Sequence, residues 1–145
     1  MRFFLKFAAL SAGEKQLMWR ALAALACCRL GLWLVPLPRI KRFMETVTPR
    51  SASLAARQSP VSAAQISRAI GRASVLVPKS TCLVQALAAQ WLLRRENHAS
   101  HLHIGVVKQA DGEFLAHAWV ECEGAVVVGG GDLGRYTPIL RWESG

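Results

Sequence analysis

The stretch STCLVQALAAQWLLRREN, residues 80–97, predicts the helix on which our assignment of the fold depends. Ser80 or Thr81 is a good N-cap, because its hydroxyl can accept from an amide of the first turn. Apolar side chains then recur at helical spacing: Leu83, Leu87 and Trp91. Asn97 can end the helix in the left-handed conformation.

The residues that follow this helix have the pattern of strands. Apolar runs at residues 102–108, 114–122 and 125–128 are separated by turn sequences at residues 110–112 and 123–124. Short turns join neighbouring antiparallel strands, so we expect a meander of three or more strands. Helices followed by antiparallel strands predict an α+β fold, in which a helix packs on the sheet.

The residues before the helix predict further helices. Ser11 to Glu14 has the form of a capping box, and a helix should run from there to Val35 and stop at Pro36-Leu37-Pro38. A helical turn or two is expected over residues 39–43, and a helix over residues 62–72. Between them, residues 46–60 are rich in Ser, Ala, Pro and Arg, which indicates an exposed connection.

The basic charge lies mainly in the first part of the chain. The 145 residues carry a net charge of +9, and residues 1–57 hold ten Lys or Arg against two acids. We therefore divide the chain into a basic helical region, residues 1–60, and a core, residues 61–145, within one compact domain. No helix-turn-helix, zinc-finger or stacking-aromatic signature is present, so nucleic acid is not the expected partner.

Cysteine usage indicates a reducing cytoplasm. The four cysteines do not form a disulfide framework, and we expect Cys27 and Cys28 to lie in the core. Without CxxC or HxxxH spacing we predict no metal, and no other cofactor. The apolar run at residues 21–35 is shorter than a membrane span, and we interpret it as a core helix, with an interfacial helix as the alternative. Residues 1–10 do not make a convincing export signal.

Cys82 is the candidate nucleophile. It falls in the first turn of the predicted helix, where free amides and the positive end of the helix dipole stabilise a thiolate. A thiolate can attack an amide carbonyl, and amides of the same turn can hold the oxyanion that develops. The alternative is that Cys82 is a small core residue at the start of a helix.

His117 is the candidate base. It lies mid-strand in Ala116-His117-Ala118-Trp119-Val120, where small neighbours leave room for its ring. The alternative is a core histidine bonded to a backbone carbonyl. Trp119 shares its strand face and can pack on the imidazole, whereas Cys122 should lie on the opposite face. His101 and His103 share a face, but no third metal ligand is evident.

These residues resemble a known family. Cys82-Leu83 at a helix start, the Ile104-Gly105-Val106 strand and the segment from Ala116 to Glu121 are similar to the lasso peptide biosynthesis leader peptidase. That family is the transglutaminase-like "protein B", here in its split form without the recognition domain. The resemblance is strongest over residues 75–142.

The resemblance implies a transglutaminase-like, papain-like core and a Cys-His-Asp site. The enzyme would be a cysteine protease that removes the leader from a ribosomally made precursor peptide through a thioester. Its implied partners are the precursor peptide, a small leader-recognition protein and an ATP-using lasso cyclase. Peripheral membrane contact of the basic region is a further expectation.

The third member of the site departs from the family pattern. Related proteins place an aspartate about twelve residues after the histidine, and this chain has Gly129-Gly130-Gly131 there. A two-residue turn at Glu123-Gly124 would set His117 opposite Gly130. Asp132 would then be a diagonal neighbour roughly 7 Å away, and it is our predicted catalytic acid. The alternative for Asp132 is a turn residue.

Two other functions stay open from the sequence. A Cys-His site can also serve an amidase or a transglutaminase, because hydrolysis and aminolysis differ only in which nucleophile reaches the thioester. A catalytically silent peptide-binding module is the third possibility, in which glycines replaced the acid as activity was lost.

Overall fold

Helices precede an antiparallel sheet in the computed structural model, which describes residues 9–47 and 61–144. The described helices are α1 (Ala12–Leu34), α2 (Leu37–Val47), α3 (Ala63–Ser74) and α4 (Cys82–Arg95). The strands are β1 (Ser100–Lys108), β2 (Phe114–Cys122), β3 (Ala125–Val128) and β4 (Thr137–Ser144), and a 3₁₀ turn, η1, covers Leu133–Arg135. The predicted α+β class is confirmed.

The helix starts follow from side-chain caps. Ser11 accepts from the amide of Glu14, and the Glu14 carboxylate accepts from the amide of Ser11 at 3.0 Å, which completes the predicted capping box. The hydrogen bond from the backbone amide of Ser11 lowers the pKa of the Glu14 carboxyl, and the Ser11 hydroxyl lowers it further. Ser62 and Gln65 form a second capping box at α3. Asn97 ends the α4 region at a φ of 59°, as expected for a left-handed cap.

Two sequence-based boundaries differ from the structure. The turn expected over residues 39–43 is the longer helix α2, and Pro38 lies in its first turn, where a missing amide hydrogen breaks no helical bond. The predicted connection, residues 46–60, lies outside the described residues except for the end of α2.

The described sheet has the strand order β3-β2-β1-β4, with antiparallel pairs throughout. Three of these strands were predicted individually, and β4, which pairs with β1, was not. Thr137 to Ser144 includes Pro138, which disfavours a strand by propensity. It is tolerated here because β4 is an edge strand and a register shift occurs where Gly105 pairs with Pro138.

The two sides of the sheet have different neighbours. The helix-facing side packs into the core with α3 and α4, and it includes Leu102, Ala118, Val120, Cys122 and Trp142. Because side chains alternate along a strand, the residues between them point to the far side. The far side includes His103, Gly105, His117, Trp119 and Glu121.

Helix α1 packs against α3 and α4 and is apolar on most of its circumference. By length and composition alone it could cross a membrane, with a mean hydropathy of 1.4, but a third of that window is buried in the protein. Cys28 is in the core as predicted, and burial, then the neighbouring Cys27, raises the pKa of its thiol to about 12. The prediction for Cys27 was wrong, since it faces outward.

Candidate active site

Cys82 is the first residue of α4. Thr81 is the N-cap, and its hydroxyl accepts from the amide of Val84 at 3.4 Å. The amides of Cys82 and Leu83 precede the first intrahelical bond, so they remain available to an anion. The thiol is half-buried at the border of the core. This position provides donors for an oxyanion that forms next to the thiol.

The turn before Cys82 is held in place by its own helix. Lys79 adopts a φ of 55°, which reverses the chain ahead of the cap. The Gln85 side-chain amide then donates to the carbonyl of Ser80 at 3.0 Å. Gln85 is thus a structural residue that anchors the segment in front of Cys82.

His117 lies in the middle of β2, half-buried, on the far side of the sheet. Its Nε2 lies 2.7 Å from the carbonyl oxygen of Gly129, in the segment that follows β3. The partner of the ring is therefore a backbone carbonyl twelve residues later. This is the position at which the resemblance described above led us to expect an aspartate.

Aromatic rings surround the imidazole of His117. The Tyr136 ring lies 5.2 Å away between centroids, and the Trp119 ring lies 6.2 Å away at 20°. Trp119 is 4% exposed and also stacks on His103 at 5.2 Å. The expectation that Trp119 packs near the imidazole is confirmed, and Tyr136 is a neighbour that the sequence did not indicate.

Asp132 is exposed and precedes η1 as its N-cap residue. Its side chain makes no capping hydrogen bond, and no hydrogen bond or ion pair links it to His117 in the described parts of the chain. The predicted pairing of His117 with Gly130 does not form, because the register shifts between Val120 and Glu121 and the ladder stops at Val128. The catalytic role of Asp132 stays a prediction.

The structure does not join the two main candidates by a hydrogen bond. Within residues 61–144 no hydrogen bond links Cys82 to His117, although α4 packs against β2. Hydrogen bonds of a catalytic site are often long or unformed without substrate. A Cys-His pair therefore requires the Nδ1 side of the ring to approach the start of α4 when a peptide binds.

The remaining cysteines and histidines are less suited to chemistry. Burial, then the charge of Glu123, raises the pKa of the Cys122 thiol, so it stays protonated. His98, Cys122 and Glu123 bring possible ligand atoms within 4.8 Å of one another. However, Nε2 of His98 lies 2.8 Å from the carbonyl of Val61, and a protonated thiol is a poor metal ligand. Cys122 lies on the side of the strand opposite His117, as predicted.

Comparison with known families decides the class of the protein. A family model for the transglutaminase-like superfamily matches residues 20–141. The chain belongs to the transglutaminase-like superfamily. No curated protein and no solved structure shows significant similarity to it.

Members of the transglutaminase-like superfamily are typically cysteine-based peptidases or acyltransferases. The match includes most of α1 and all of α2 as well as most of the sheet, so it is not limited to the Cys82 helix and the strands. Sequence reasoning identified the helix with Cys82 and the strand with His117. The alternative for His117, a hydrogen bond to a backbone carbonyl, is present in the structure. The sequence did not indicate that Gly129 provides this carbonyl, because a glycine offers no side chain to recognise.

Proposed function

We propose that this transglutaminase-like protein is a cysteine peptidase that removes the leader from a lasso precursor peptide, with Cys82 as nucleophile and His117 as base. The observation that carries the proposal is the placement of Cys82 as the first residue of α4, behind a Thr81 cap. The superfamily match supports cysteine chemistry. The substrate class comes from the resemblance of Cys82-Leu83 and the His117 segment to lasso leader peptidases.

In the proposed reaction, Nδ1 of His117 takes the proton from Sγ of Cys82. The thiolate attacks the scissile carbonyl, and the free amides at the start of α4 stabilise the oxyanion. The C–N bond then breaks, and the imidazolium gives its proton to the leaving amine. A thioester remains on Cys82. His117 next deprotonates a water, which attacks the thioester and releases the acid and the thiol.

The proposal includes partners and a compartment. A small recognition protein would bind the leader and deliver it, and an ATP-using cyclase would act on the released core peptide. The protein would work in the cytoplasm. Exposed apolar and basic side chains near the end of α1 and on α2 are compatible with docking to a partner or with peripheral membrane contact, and they include Trp33, Arg39 and Arg42.

The test is cleavage of the cognate precursor peptide with the recognition protein present. We expect Cys82→Ala to abolish cleavage and the acyl-enzyme, observed by intact mass. Cys27→Ala is the matched control, since this exposed cysteine lies on α1 and should leave cleavage unchanged. If the wild-type protein does not cut the peptide, or if Cys82→Ala still does, the proposal is wrong.

A second candidate is a peptide-binding module without catalysis. Two observations favour it among the described residues: no carboxylate forms a hydrogen bond or ion pair with His117, and no hydrogen bond joins His117 to Cys82. In the same assay this module would bind the precursor with unchanged affinity in wild type and in Cys82→Ala. Neither protein would release a product.

A further inference from the structure

We propose that the backbone carbonyl of Gly129 is the group that positions His117, in the place where the aspartate of a Cys-His-Asp site would stand. This inference deepens the proposed function and depends on it for its catalytic meaning. The tautomer of the His117 ring, which the inference predicts, can be measured without any substrate.

The carbonyl determines which ring nitrogen carries the hydrogen. A carbonyl oxygen can only accept, so at 2.7 Å from the Gly129 oxygen Nε2 must be the donor. In the neutral ring the lone pair is then on Nδ1. That nitrogen is the one that can take the proton of the Cys82 thiol, and a carboxylate partner at Nε2 would select the same tautomer.

Only glycine allows this approach of the backbone. Gly129 has a φ of 77°, a conformation that residues with a side chain rarely adopt. A Cβ at this position would collide with the carbonyl oxygen of Ala118 and would lie 2.9 Å from Cα of Trp119. An aspartate at position 129 therefore does not fit the present path of the chain. The glycine at position 129 therefore accounts both for the absence of an aspartate there and for the hydrogen bond between its carbonyl and His117.

The surroundings of the ring support a positioning role. Trp119 and Tyr136 lie against the imidazole and restrict its rotation. Trp119 itself is held between His103 and the ring of His117. The hydrogen bond at Nε2, together with these two rings, limits the orientations of the imidazole and leaves Nδ1 as the nitrogen that can meet a thiol.

The first test is the tautomer of His117 in the full-length wild-type protein. Histidine labelled with ¹⁵N would be observed by long-range proton–nitrogen correlation at a pH where the ring is neutral, with His117→Gln to assign the signals. We expect a pyrrole-type Nε2 and a pyridine-type Nδ1. An Nδ1–H tautomer, or a rapidly exchanging mixture, would overturn the proposal.

The second test compares two neighbouring glycines. Gly129→Ala should displace the carbonyl, and we expect a mixed tautomer and a fall in kcat of about 10²-fold with little change in KM. Gly130→Ala is the matched control, because a Cβ there comes no closer than 3.9 Å to Val126 and the φ is ordinary. It should keep the tautomer and keep kcat within about twofold. Equal effects of both changes would contradict the proposal.

Asp132→Asn distinguishes the two candidate partners of His117, the carbonyl of Gly129 and the carboxylate of Asp132. If the carbonyl positions the ring, the Nε2–H tautomer persists in this variant. If the ¹⁵N signals of His117 in Asp132→Asn change to those of an Nδ1–H or mixed tautomer, the carboxylate is the partner and the proposal falls. These signals remain decisive if Gly129→Ala does not fold. Should no variant or wild type cut a precursor, the peptidase function fails while the tautomer result still stands.

Discussion

The two sides of strand β2 differ in what their side chains contact. On the helix-facing side, Ala118 and Val120 are buried against the helices and act only through packing. On the far side, His117 and Trp119 contact one another, Tyr136 and the backbone of Gly129. Residues one position apart therefore serve the stability of the fold on one side and the proposed chemistry of the site on the other. A substitution on one side should leave the property of the other side nearly intact.

The largest effect is expected for His117→Ala. Loss of the proposed base should lower kcat/KM for precursor cleavage by about 10²–10⁴-fold. The free energy of unfolding should fall by only about 1 kcal/mol, since a half-buried ring and one hydrogen bond are lost. Cleavage kinetics and urea unfolding of the same preparation measure both quantities.

A matched control lies on the adjacent residue. Ala118→Gly changes the helix-facing side of the same strand and should reduce stability with little effect on kcat. If His117→Ala instead unfolds the protein, the histidine belongs to the core, and the separation between the two sides is wrong.

For Leu102 on β1 we expect the opposite result, a large loss of stability with little change in kcat. This side chain is fully buried on the helix-facing side and pairs with Val120 across the strands. Leu102→Ala should destabilise the protein by about 2–5 kcal/mol, because it leaves a cavity in a packed core. Below the unfolding transition, kcat should stay within a few-fold of wild type. A stability loss under about 1 kcal/mol would show that this side of the sheet is loosely packed.

The contrast between the two sides also explains what the sequence could predict. Apolar runs bounded by turn residues predicted β1 to β3, the Ser11 capping box predicted the start of α1, and apolar spacing predicted α3, because these signals are local. Strand β4 was not predicted, because its pairing with β1 is a tertiary contact that overrides the poor strand propensity of Pro138.

The site shows the same division. Cys82 and His117 carry side chains whose chemistry can be recognised in a sequence, whereas a carbonyl acceptor looks the same at every residue. The assumed regular hairpin placed Asp132 diagonal to His117, but a one-residue register shift within the β2–β3 pair changed that geometry. Gly129-Gly130-Gly131 favours a bulge, but the register shift lies just before these glycines, between Val126 and Val128.

Stability at alkaline pH tests the burial of Cys28 between α1 and the other helices. Burial raises the pKa of the Cys28 thiol from 9.0 to about 12. Between these values the unfolded chain loses a proton that the folded chain keeps, so stability falls as pH rises, by about 1.4 kcal/mol per pH unit. Cys28→Ala removes this contribution. Its unfolding free energy should decline less steeply than that of wild type between pH 9 and 10.5.

Parallel slopes for the two proteins would mean that the Cys28 thiol ionises in the folded state as readily as in the unfolded one. Cys27→Ala is the control for this comparison, because Cys27 is exposed on the same helix. Burial is the larger cause of the Cys28 shift and Cys27 the smaller one, so the slope of Cys27→Ala should stay closer to that of wild type than the slope of Cys28→Ala does.

The smallest effect is expected for Glu121→Gln on the far side of the sheet. A carboxylate oxygen of Glu121 lies 3.3 Å from Nε2 of His103, but that nitrogen has no aligned hydrogen-bond acceptor in the described structure. Because Glu121 is partly exposed and the pair lacks good geometry, the substitution should change the free energy of unfolding by less than about 1 kcal/mol. Urea unfolding at neutral pH, at low and at high salt, measures it. A larger loss would show that polar contacts on the far side also hold the sheet together, and the separation of fold from chemistry across β2 would then be incomplete.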